Sequence, residues 1–182
     1  KHEETKATTS QATAYGTGHY LVVFTLSETK YVCDYILHGG NKQEFLEKFK
    51  GAYSNDFDPE IHLQAVGVAN QTTMLRGETE EVQRQLKATM IQKYGEAEID
   101  RHFRFFDTIC GATQDRQDAL GKLLREPLDL LIVICGYNSS NTSHLAEMGE
   151  AKLPTYFIKN AAKMEPDKIV HYDQHKHEEV ES

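Results

Sequence analysis

The sequence predicts an α/β fold in which parallel sheets are flanked by helices. Short apolar segments of strand length alternate along most of the chain with longer segments whose apolar residues recur at helical spacing. Several strand segments, residues 130–135 among them, are apolar throughout, which is typical of parallel strands covered on both faces. Polar loops follow these strands, and ligands of such sheets bind beyond the carboxyl ends of the strands. We therefore expect an enzyme's site in those loops.

Caps, glycines and proline set the elements of the amino-terminal half. Ser27 precedes a helical segment that Gly39 and Gly40 end, Asn41 precedes the next one, and Pro59 marks a turn. The predicted elements are a polar loop leading into a short helix over residues 1–18, a strand over 20–26, helices over 28–37 and 42–53, a turn over 56–60 and a strand over 63–68.

The second half repeats the alternation. Val82, Leu86 and Met90 recur at helical spacing, and Gly95 closes that segment. The predicted elements are a polar loop over residues 69–74, a helix over 78–93, a strand over 103–109, a helix over 114–125, a strand over 130–135, a helix over 142–150 and a strand over 154–158. The tail from residue 165 is polar and is predicted to be disordered.

Composition excludes several classes of protein. The 182 residues, 39% of them hydrophobic, suffice for one ordinary domain or two small ones. The net charge is −8, whereas a general nucleic-acid binder carries a basic surface, so no nucleic-acid partner is expected. The longest apolar segment, residues 128–135, contains Asp129 and is too short to cross a bilayer, so no membrane partner is expected. Three cysteines cannot all pair in disulfides, which favours a reducing compartment.

Cys110 lies in the first of two informative polar loops, residues 107–117, between a predicted strand and a predicted helix. A buried, unreactive cysteine is the commoner case. A thiolate near the N–H groups of a helix start would instead act as a metal ligand or a nucleophile. No second cysteine stands at a zinc-binding spacing, so both interpretations stay open. Cys33 and Cys135 lie in apolar segments, and core packing is expected for both.

The second informative loop, residues 136–144, carries six polar residues in succession from Asn138 to Ser143. A helix cap needs only one such residue. Hydroxyls together with the N–H groups of a helix start form an anion site, which we favour slightly over capping alone. No glycine-rich phosphate motif is present, so side chains would hold the phosphate.

Weaker candidates lie elsewhere. The Gln-Thr-Thr string at residues 71–73 resembles the second loop in kind. His2 and Glu4 are either a proton-transfer pair or surface residues. Three histidines of the tail, His171, His175 and His177, are more typical of a solvated segment than of a metal site.

Taken together, these strings resemble the LytB/IspH family of hydroxymethylbutenyl diphosphate reductases, which act in the methylerythritol phosphate route to isoprenoids. The matching strings are His-Glu-Glu-Thr at 2–5, Ala-Asn-Gln-Thr-Thr-Met-Leu at 69–75, Gly-Glu-Thr-Glu-Glu at 77–81, Thr-Ile-Cys at 108–110 with Ala-Thr-Gln at 112–114 and Arg-Gln at 116–117, and Asn-Ser-Ser-Asn-Thr-Ser-His-Leu at 138–145. The similarity extends in order from residue 1 to about 158 and is greatest to the cyanobacterial and plastid branch.

The resemblance implies a pseudo-threefold fold of three α/β modules around a 4Fe–4S cluster, with one cysteine from each module. Residues 1–106 would form the second module without its start, residues 107–164 an incomplete third, and residues 165–182 a tail. The implied enzyme reductively removes the hydroxyl of (E)-4-hydroxy-3-methylbut-2-enyl diphosphate, which yields isopentenyl and dimethylallyl diphosphate. The implied electron donor is a protein such as ferredoxin or flavodoxin, and the implied location is the bacterial cytoplasm or the plastid stroma.

The resemblance also implies roles for single residues. Cys110 would be one of the three cluster ligands, Thr72 would hydrogen-bond near the substrate hydroxyl, and Glu4 would stand in the proton path to the leaving oxygen. The residues that would bind the diphosphate are His2, Ser139, Ser140 and Asn141. Thiolates suit iron–sulfur clusters, and hydroxide needs a delivered proton in order to leave.

The departures from the family are equally informative. The two other cluster cysteines have no counterpart, because Cys33 and Cys135 stand at the wrong places, and Gly111 replaces a residue that is usually acidic. The chain also starts at Lys1 without a methionine. We therefore expect a piece of a longer protein, inactive by itself.

Two other interpretations remain. The first is a remnant that has lost catalysis and acts as a phosphate-binding or interaction module. The second is a hydrolase with Cys110 as nucleophile, which requires a base such as His144 nearby.

Overall fold

A computed structural model describes residues 3–14, 16 and 18–182, with the side chains of residues 3 and 4 excepted. The chain separates into two compact units. The first comprises the residues up to Thr72 together with 76–108, and the second comprises Thr73–Leu75 together with Ile109–Ser182. The family resemblance places a module boundary nearby, at residue 106.

The first unit holds most of the helices. Its elements are α1 (Glu3–Thr13), α2 (Leu26–His38), α3 (Lys42–Lys48), α4 (Pro59–His62), β1 (Val66–Val68), α5 (Arg76–Tyr94), a 3₁₀ turn (Glu96–Glu98), α6 (Ile99–His102) and β2 (Phe103–Phe105). β1 and β2 pair in parallel, with Val66 opposite Phe103 and Val68 opposite Phe105. The prediction of parallel strands flanked by helices is confirmed here.

The core of the first unit lies between α2, α3 and α5. Phe45 is fully buried, and its ring lies 4.5 Å from that of Tyr35 and 4.9 Å from that of Phe49. Met90 of α5 is also fully buried and belongs to the same apolar cluster. Such aromatic burial dominates the stability of a small core.

Side-chain caps begin three of these helices. Asn41 Oδ1 accepts hydrogen bonds from Gln43 N–H at 2.9 Å and Glu44 N–H at 3.3 Å, which confirms the predicted cap of α3. Thr25, rather than Ser27, caps α2. Asp58 caps α4 at the position predicted to be a turn.

Two predictions in this unit are wrong. Residues 20–26 form no regular strand. Their pairing with residues 52–54 is limited to the isolated bridge of Leu21 with Tyr53 and two backbone hydrogen bonds, and α2 already begins at Leu26. Helix α3 ends at Lys48 instead of residue 53, because Gly51 has φ +76°, a left-handed conformation that ends a helix. The short helix expected within residues 1–18 is confirmed as α1, which begins at Glu3.

The second unit contains a parallel strand pair and an antiparallel sheet. Its elements are α7 (Gly111–Leu123), β3 (Leu131–Ile134), α8 (Ser140–Glu150), β4 (Thr155–Ile158), a 3₁₀ turn (Ala161–Lys163), β5 (Met164–Glu165), β6 (Lys168–Asp173) and β7 (Glu178–Glu181). β3 and β4 pair in parallel from Leu131 opposite Thr155 to Ile134 opposite Ile158. Phe157 and Ile158 of β4 are fully buried.

The predicted disorder of residues 165–182 is wrong. These residues belong to an antiparallel sheet in the order β5-β6-β7, and Ile169 and Ser182 exchange two backbone hydrogen bonds of 2.9 Å. Asp173 Oδ1 accepts from His175 N–H and Lys176 N–H, which fixes the turn between β6 and β7. The segment is polar, yet Tyr172 anchors it by stacking on Tyr137. No described helix is long and apolar enough to cross a membrane.

Gly149 allows α8 to pack closely on β3 and β4. A Cβ atom at this position would lie 2.5 Å from Leu131 Cδ2 and 2.7 Å from Thr155 Oγ1. Both distances are far below van der Waals contact, so the helix would have to move away from the sheet.

We expect Gly149→Ala to lower the free energy of unfolding by about 1–3 kcal/mol through overpacking. Gly121→Ala is the matched control, because Gly121 lies in α7 and a methyl group added there would meet nothing within 4 Å. That control should raise stability by about 0.5–1 kcal/mol, since alanine favours helix. Urea unfolding measures both, and equal effects of the two substitutions would contradict the packing argument.

A stacked histidine pair lies in the first unit. The rings of His19 and His62 are 3.7 Å apart with 13° between their planes. His62 Nδ1 accepts a hydrogen bond of 2.8 Å from Asp58 N–H, which a ring protonated at Nδ1 cannot do. Burial, and then the charge of His19, lower the pKa of His62, although Asp58 opposes them. The fold therefore selects the neutral imidazole.

We expect acidification from about pH 7.5 to about pH 5.5 to destabilise the first unit. The folded-state pKa of His62 lies below its ordinary value of 6.5, so the unfolded chain binds the proton more readily. The contribution is complete above the ordinary pKa and is lost as the pH falls through the lowered one. Urea unfolding at the two pH values measures the loss. His62→Asn, which keeps an acceptor, should respond less steeply, and an equally steep response would refute the assignment.

Candidate functional site

In the first unit, the loops that follow β1 and β2 are joined directly. Asn70 N–H donates to Thr108 Oγ1 at 3.1 Å, and the Thr108 hydroxyl donates to the carbonyl oxygen of Asn70 at 2.5 Å. Because β1 and β2 are parallel, both loops leave the same edge of the sheet. The polar strings around residues 70 and 108 therefore lie side by side.

The Gln-Thr-Thr string is also tied to α1. The Gln71 side-chain amide donates to the hydroxyl of Thr5, a buried residue of α1. Thr72 lies in the following turn and is exposed. His2 and the side chain of Glu4 lie outside the described residues. Gln71 nevertheless connects the helix that contains the Glu4 backbone to the loop that carries Thr72.

Cys110 caps the start of α7 in the second unit. It is exposed, its side chain makes no capping hydrogen bond, and its carbonyl accepts from Thr113 N–H at 2.9 Å and Gln114 N–H at 3.0 Å. The core-packing interpretation therefore does not hold for Cys110. An exposed thiol at a helix start is suited to metal ligation or nucleophilic attack.

Helix α7 is held to its own unit by a buried amide. Gln117 is 5% exposed, and its Nε2 donates to the Met74 carbonyl at 3.0 Å. Gln114 donates to Asp118 Oδ1 at 2.6 Å, while its own Oε1 is buried. The start of α7 thus carries an exposed thiol at its N-cap and a buried amide oxygen in its first turn.

Ser139 caps α8. Its Oγ accepts from Thr142 N–H at 3.4 Å and lies 2.9 Å from Thr142 Oγ1, while its own N–H donates to the Gly136 carbonyl at 3.1 Å. The helix begins at Ser140, so Ser140 and Asn141 occupy its first turn. Capping accounts for Ser139, and the two following polar residues lie at the positive end of the helix dipole.

Asn141 has a buried side-chain oxygen without a partner among the described residues. A buried polar atom without a hydrogen bond costs free energy. Turning the amide over would place its NH₂ group in the same position, where it would donate to an anion. The side chain is therefore suited to a ligand that approaches the start of α8.

Three of the motif strings contain such orphaned amides. Across the described part of the chain, the buried side-chain atoms without a partner are Tyr35 OH, Asn70 Oδ1, Gln85 Oε1, Gln114 Oε1 and Asn141 Oδ1. Asn70, Gln114 and Asn141 each lie in a loop or first helical turn singled out from the sequence. Orphaned polar atoms concentrated in this way indicate sites completed by a ligand.

The polar surroundings of Cys135 were not predicted from the sequence. Hydrogen bonds from the Thr142 hydroxyl, and to a lesser extent from the Ser139 hydroxyl and the Gly136 N–H, lower the pKa of Cys135 although burial opposes them. Cys33 behaves in the opposite way, because burial raises its pKa. The available signal was that Cys135, like Cys110, stands at a strand end before a polar loop.

The hydrolase interpretation gains no support. It requires His144 to act as a base for Cys110, whereas His144 Nδ1 pairs with Glu147 Oε2 at 2.9 Å. Within the described residues, no group of three or more His, Cys, Asp or Glu side chains is arranged to hold a metal ion. Cys110 is the one cysteine expected to be a cluster donor, and that role stays a prediction.

The sequence profile of the family described as LytB protein matches residues 1–180. The chain belongs to this family. Its relatives include proteins named 4-hydroxy-3-methylbut-2-enyl diphosphate reductase from Rippkaea orientalis, 53% identical over 173 residues, and from a Cyanothece species, 50% identical over 182 residues. Those matches cover 94% and 99% of this chain but only 42% and 44% of the relatives. The chain thus spans less than half the length of these family members.

A solved structure of (E)-4-hydroxy-3-methyl-but-2-enyl diphosphate reductase, described as the terminal enzyme of the non-mevalonate pathway, is 25% identical to the chain. The match covers 78% of this chain and 53% of that one, with a TM-score of 0.34.

We expect Thr142→Val to slow the alkylation of Cys135. Removing the hydroxyl withdraws the largest contribution to the lowered pKa, so less thiolate is present at neutral pH. Iodoacetamide labelling across a pH series, with peptides quantified by mass spectrometry, measures the shift to higher pH. Cys33 is the internal reference and should react later than Cys135 in the wild-type chain. An unchanged Cys135 profile in the variant would exclude Thr142 as the donor.

Proposed function

We propose that this chain is part of a 4-hydroxy-3-methylbut-2-enyl diphosphate reductase. The reaction adds two electrons and two protons to the substrate, breaks its carbon–hydroxyl bond, and releases water with isopentenyl or dimethylallyl diphosphate. Family membership supports the proposal, as do relatives that carry this name over nearly the whole chain. The observation that carries it is the concentration of orphaned buried amides in the family's own strings.

The second unit would bind the diphosphate. Ser139 and Ser140 place hydroxyls at the start of α8, and Asn141 adds a buried side-chain amide whose NH₂ group, once the amide is turned over, would donate to the diphosphate. The start of a helix attracts anions because its N–H groups and dipole both favour negative charge. His2 would complete this binding, and Thr72 would hydrogen-bond near the substrate hydroxyl.

Cys110 would be one ligand of the iron–sulfur cluster, which supplies the electrons and a Lewis acid when bound. Its exposed thiol at a loop end fits one such position. The cluster needs two further cysteine ligands. The described residues do not supply them, because no group of three or more His, Cys, Asp or Glu side chains is arranged there to hold a metal ion. We therefore propose that the 182 residues alone hold no stable cluster and do not turn over.

Glu4 would deliver the proton to the leaving oxygen. A carboxyl group is suited to this step, because hydroxide leaves only when protonated. The electron donor would be a protein such as ferredoxin or flavodoxin, in a bacterial cytoplasm or a plastid stroma.

A chimaera tests these roles in a complete protein. The chain replaces the matching segment of the Rippkaea orientalis reductase, to which it is 53% identical. After anaerobic cluster reconstitution, reduction of the diphosphate substrate is followed with a chemical electron donor. We expect Glu4→Gln to keep the cluster and to lower turnover by about 10²- to 10⁴-fold. Cys110→Ser should lose both the cluster absorbance and turnover, since it removes a ligand.

The 182-residue chain alone is the second control and should yield no stable, substrate-responsive cluster. A chimaera that folds and binds the cluster without any turnover would favour the non-catalytic remnant. Near-normal turnover of Glu4→Gln would remove Glu4 from the proton path. A stable cluster on the isolated chain would contradict the proposed division of the ligands.

A further inference from the structure

Tyr137 lies in the turn that delivers the anion-binding residues. The turn runs from Gly136 to Ser139 and is closed by the hydrogen bond from Ser139 N–H to the Gly136 carbonyl, 3.1 Å long. Ser139 then caps α8. Tyr137 is the aromatic residue of a loop that otherwise consists of glycine, asparagine and serine. Its side chain is therefore the natural anchor of the turn.

The Tyr137 hydroxyl bridges two other parts of the second unit. It donates to Glu179 Oε1 of β7 at 2.9 Å and accepts from Lys159 N–H, directly after β4, at 3.1 Å. Lys163 Nζ holds the other oxygen of Glu179 at 2.6 Å. Both the donor and the acceptor capacity of the phenol are thus used, and its acceptor is itself fixed by an ion pair.

The Tyr137 ring is held as firmly as its hydroxyl. It stacks on Tyr172 of β6 at 4.6 Å with 15° between the planes, and it meets the edge of Phe157 at 5.3 Å and 87°. Phe157 is fully buried. A further bond, from Gln174 Nε2 to the Ser143 carbonyl at 3.3 Å, ties the β6–β7 turn to α8. The carboxyl-terminal sheet therefore supports the loop at two points.

Tyr137 and Glu179 form a connection that capping alone does not provide. The Ser139 cap is a bond to Thr142 within the start of α8, so it does not tie that helix to the strands. The hydroxyl of Tyr137 ties the turn before α8, residues 136–139, to β7 and to the end of β4. An anion site needs the second constraint, because hydroxyls misplaced by an ångström lose their hydrogen bonds to phosphate.

We propose that Tyr137 is a positioning residue for diphosphate binding, and that the carboxyl-terminal sheet, through Glu179, forms part of the same site. The inference rests on the proposed function, in which Ser139, Ser140 and Asn141 bind the diphosphate. Tyr137 acts through these residues and does not itself touch the ligand.

Inorganic pyrophosphate is the probe, and calorimetric titration of the 182-residue chain gives its affinity. Tyr137→Phe removes only the hydroxyl and should weaken binding about three- to tenfold, because the turn loses its hydrogen bonds to Glu179 and Lys159 N–H. Tyr156→Phe is the matched control. It also removes a phenol hydroxyl, but Tyr156 lies on the face of β4 opposite to Phe157, the residue of that strand that meets the Tyr137 ring. That control should keep the wild-type affinity.

Variants of Glu179 separate positioning from general stability. Glu179→Gln keeps an acceptor for the Tyr137 hydroxyl but loses the charge that pairs with Lys163, so it should bind within about twofold of the wild type. Glu179→Ala should weaken binding by no more than Tyr137→Phe, because it removes the bond to Glu179 but leaves the bond from Lys159 N–H to the Tyr137 hydroxyl. The double variant Tyr137→Phe/Glu179→Ala should be no weaker than Tyr137→Phe, because the phenylalanine has already removed the bond to Glu179. Additive losses would overturn the proposal.

Amide hydrogen exchange gives a readout that does not depend on the ligand. Exchange of residues 138–142 should quicken in Tyr137→Phe and stay unchanged in Tyr156→Phe. If Tyr137→Phe keeps the wild-type affinity for pyrophosphate, Tyr137 does not position the site, whether or not exchange of the loop quickens. Absence of pyrophosphate binding by the wild-type chain would contradict the proposed function instead, and exchange alone would then decide whether Tyr137 holds the loop.

The chimaera extends the test to turnover. Tyr137→Phe should raise KM for the diphosphate substrate about three- to tenfold and leave kcat within about twofold, because the hydroxyl supports binding and not the chemical step. A fall in kcat with an unchanged KM would overturn the assignment.

Discussion

Parallel pairing of short strands is the constraint on which the two units depend. Parallel strands need a crossover between them, and α5 with α6 supplies it between β1 and β2 while α8 supplies it between β3 and β4. In each pair, the loops that follow the two strands therefore begin at the same edge of the sheet. In the first unit Asn70 bonds Thr108 across these loops, and in the second the Lys159 N–H bonds the Tyr137 hydroxyl. The same arrangement thus recurs in both units.

Short strands leave the loops to be held by side chains. Strands of three or four residues make few ladder bonds, so each loop has a dedicated polar contact to the backbone of its neighbour. Gly149 brings α8 close to the sheet, and Ser139 starts that helix. The result is a rigid scaffold beneath the hydroxyls at the start of α8. Such a scaffold suits a site that must orient a charged ligand.

Local signals predicted most of the helices and the polar loops in which the candidate site residues lie. Asn41 caps α3 as expected because capping is an interaction between neighbours in sequence, and α5 follows the spacing of its apolar residues. The failures concern segments whose conformation depends on distant partners. Residues 20–26 have strand composition but pair with residues 52–54 through an isolated bridge alone, and residues 165–182 have a polar composition but an aromatic anchor, Tyr172. Composition cannot report either circumstance.

The sequence by itself determined the α/β class, the family, and the residue types at the strand ends, from Cys110 to the serines before α8. Those features are local in sequence, so patterns of neighbouring residues express them. Only the tertiary structure decided that Cys110 is exposed, that Cys135 lies beside Thr142, and that Tyr137 bonds Glu179. Tyr137 and Glu179 are far apart along the chain, and a hydrogen bond between them exists only once the strands have paired and brought their loops together.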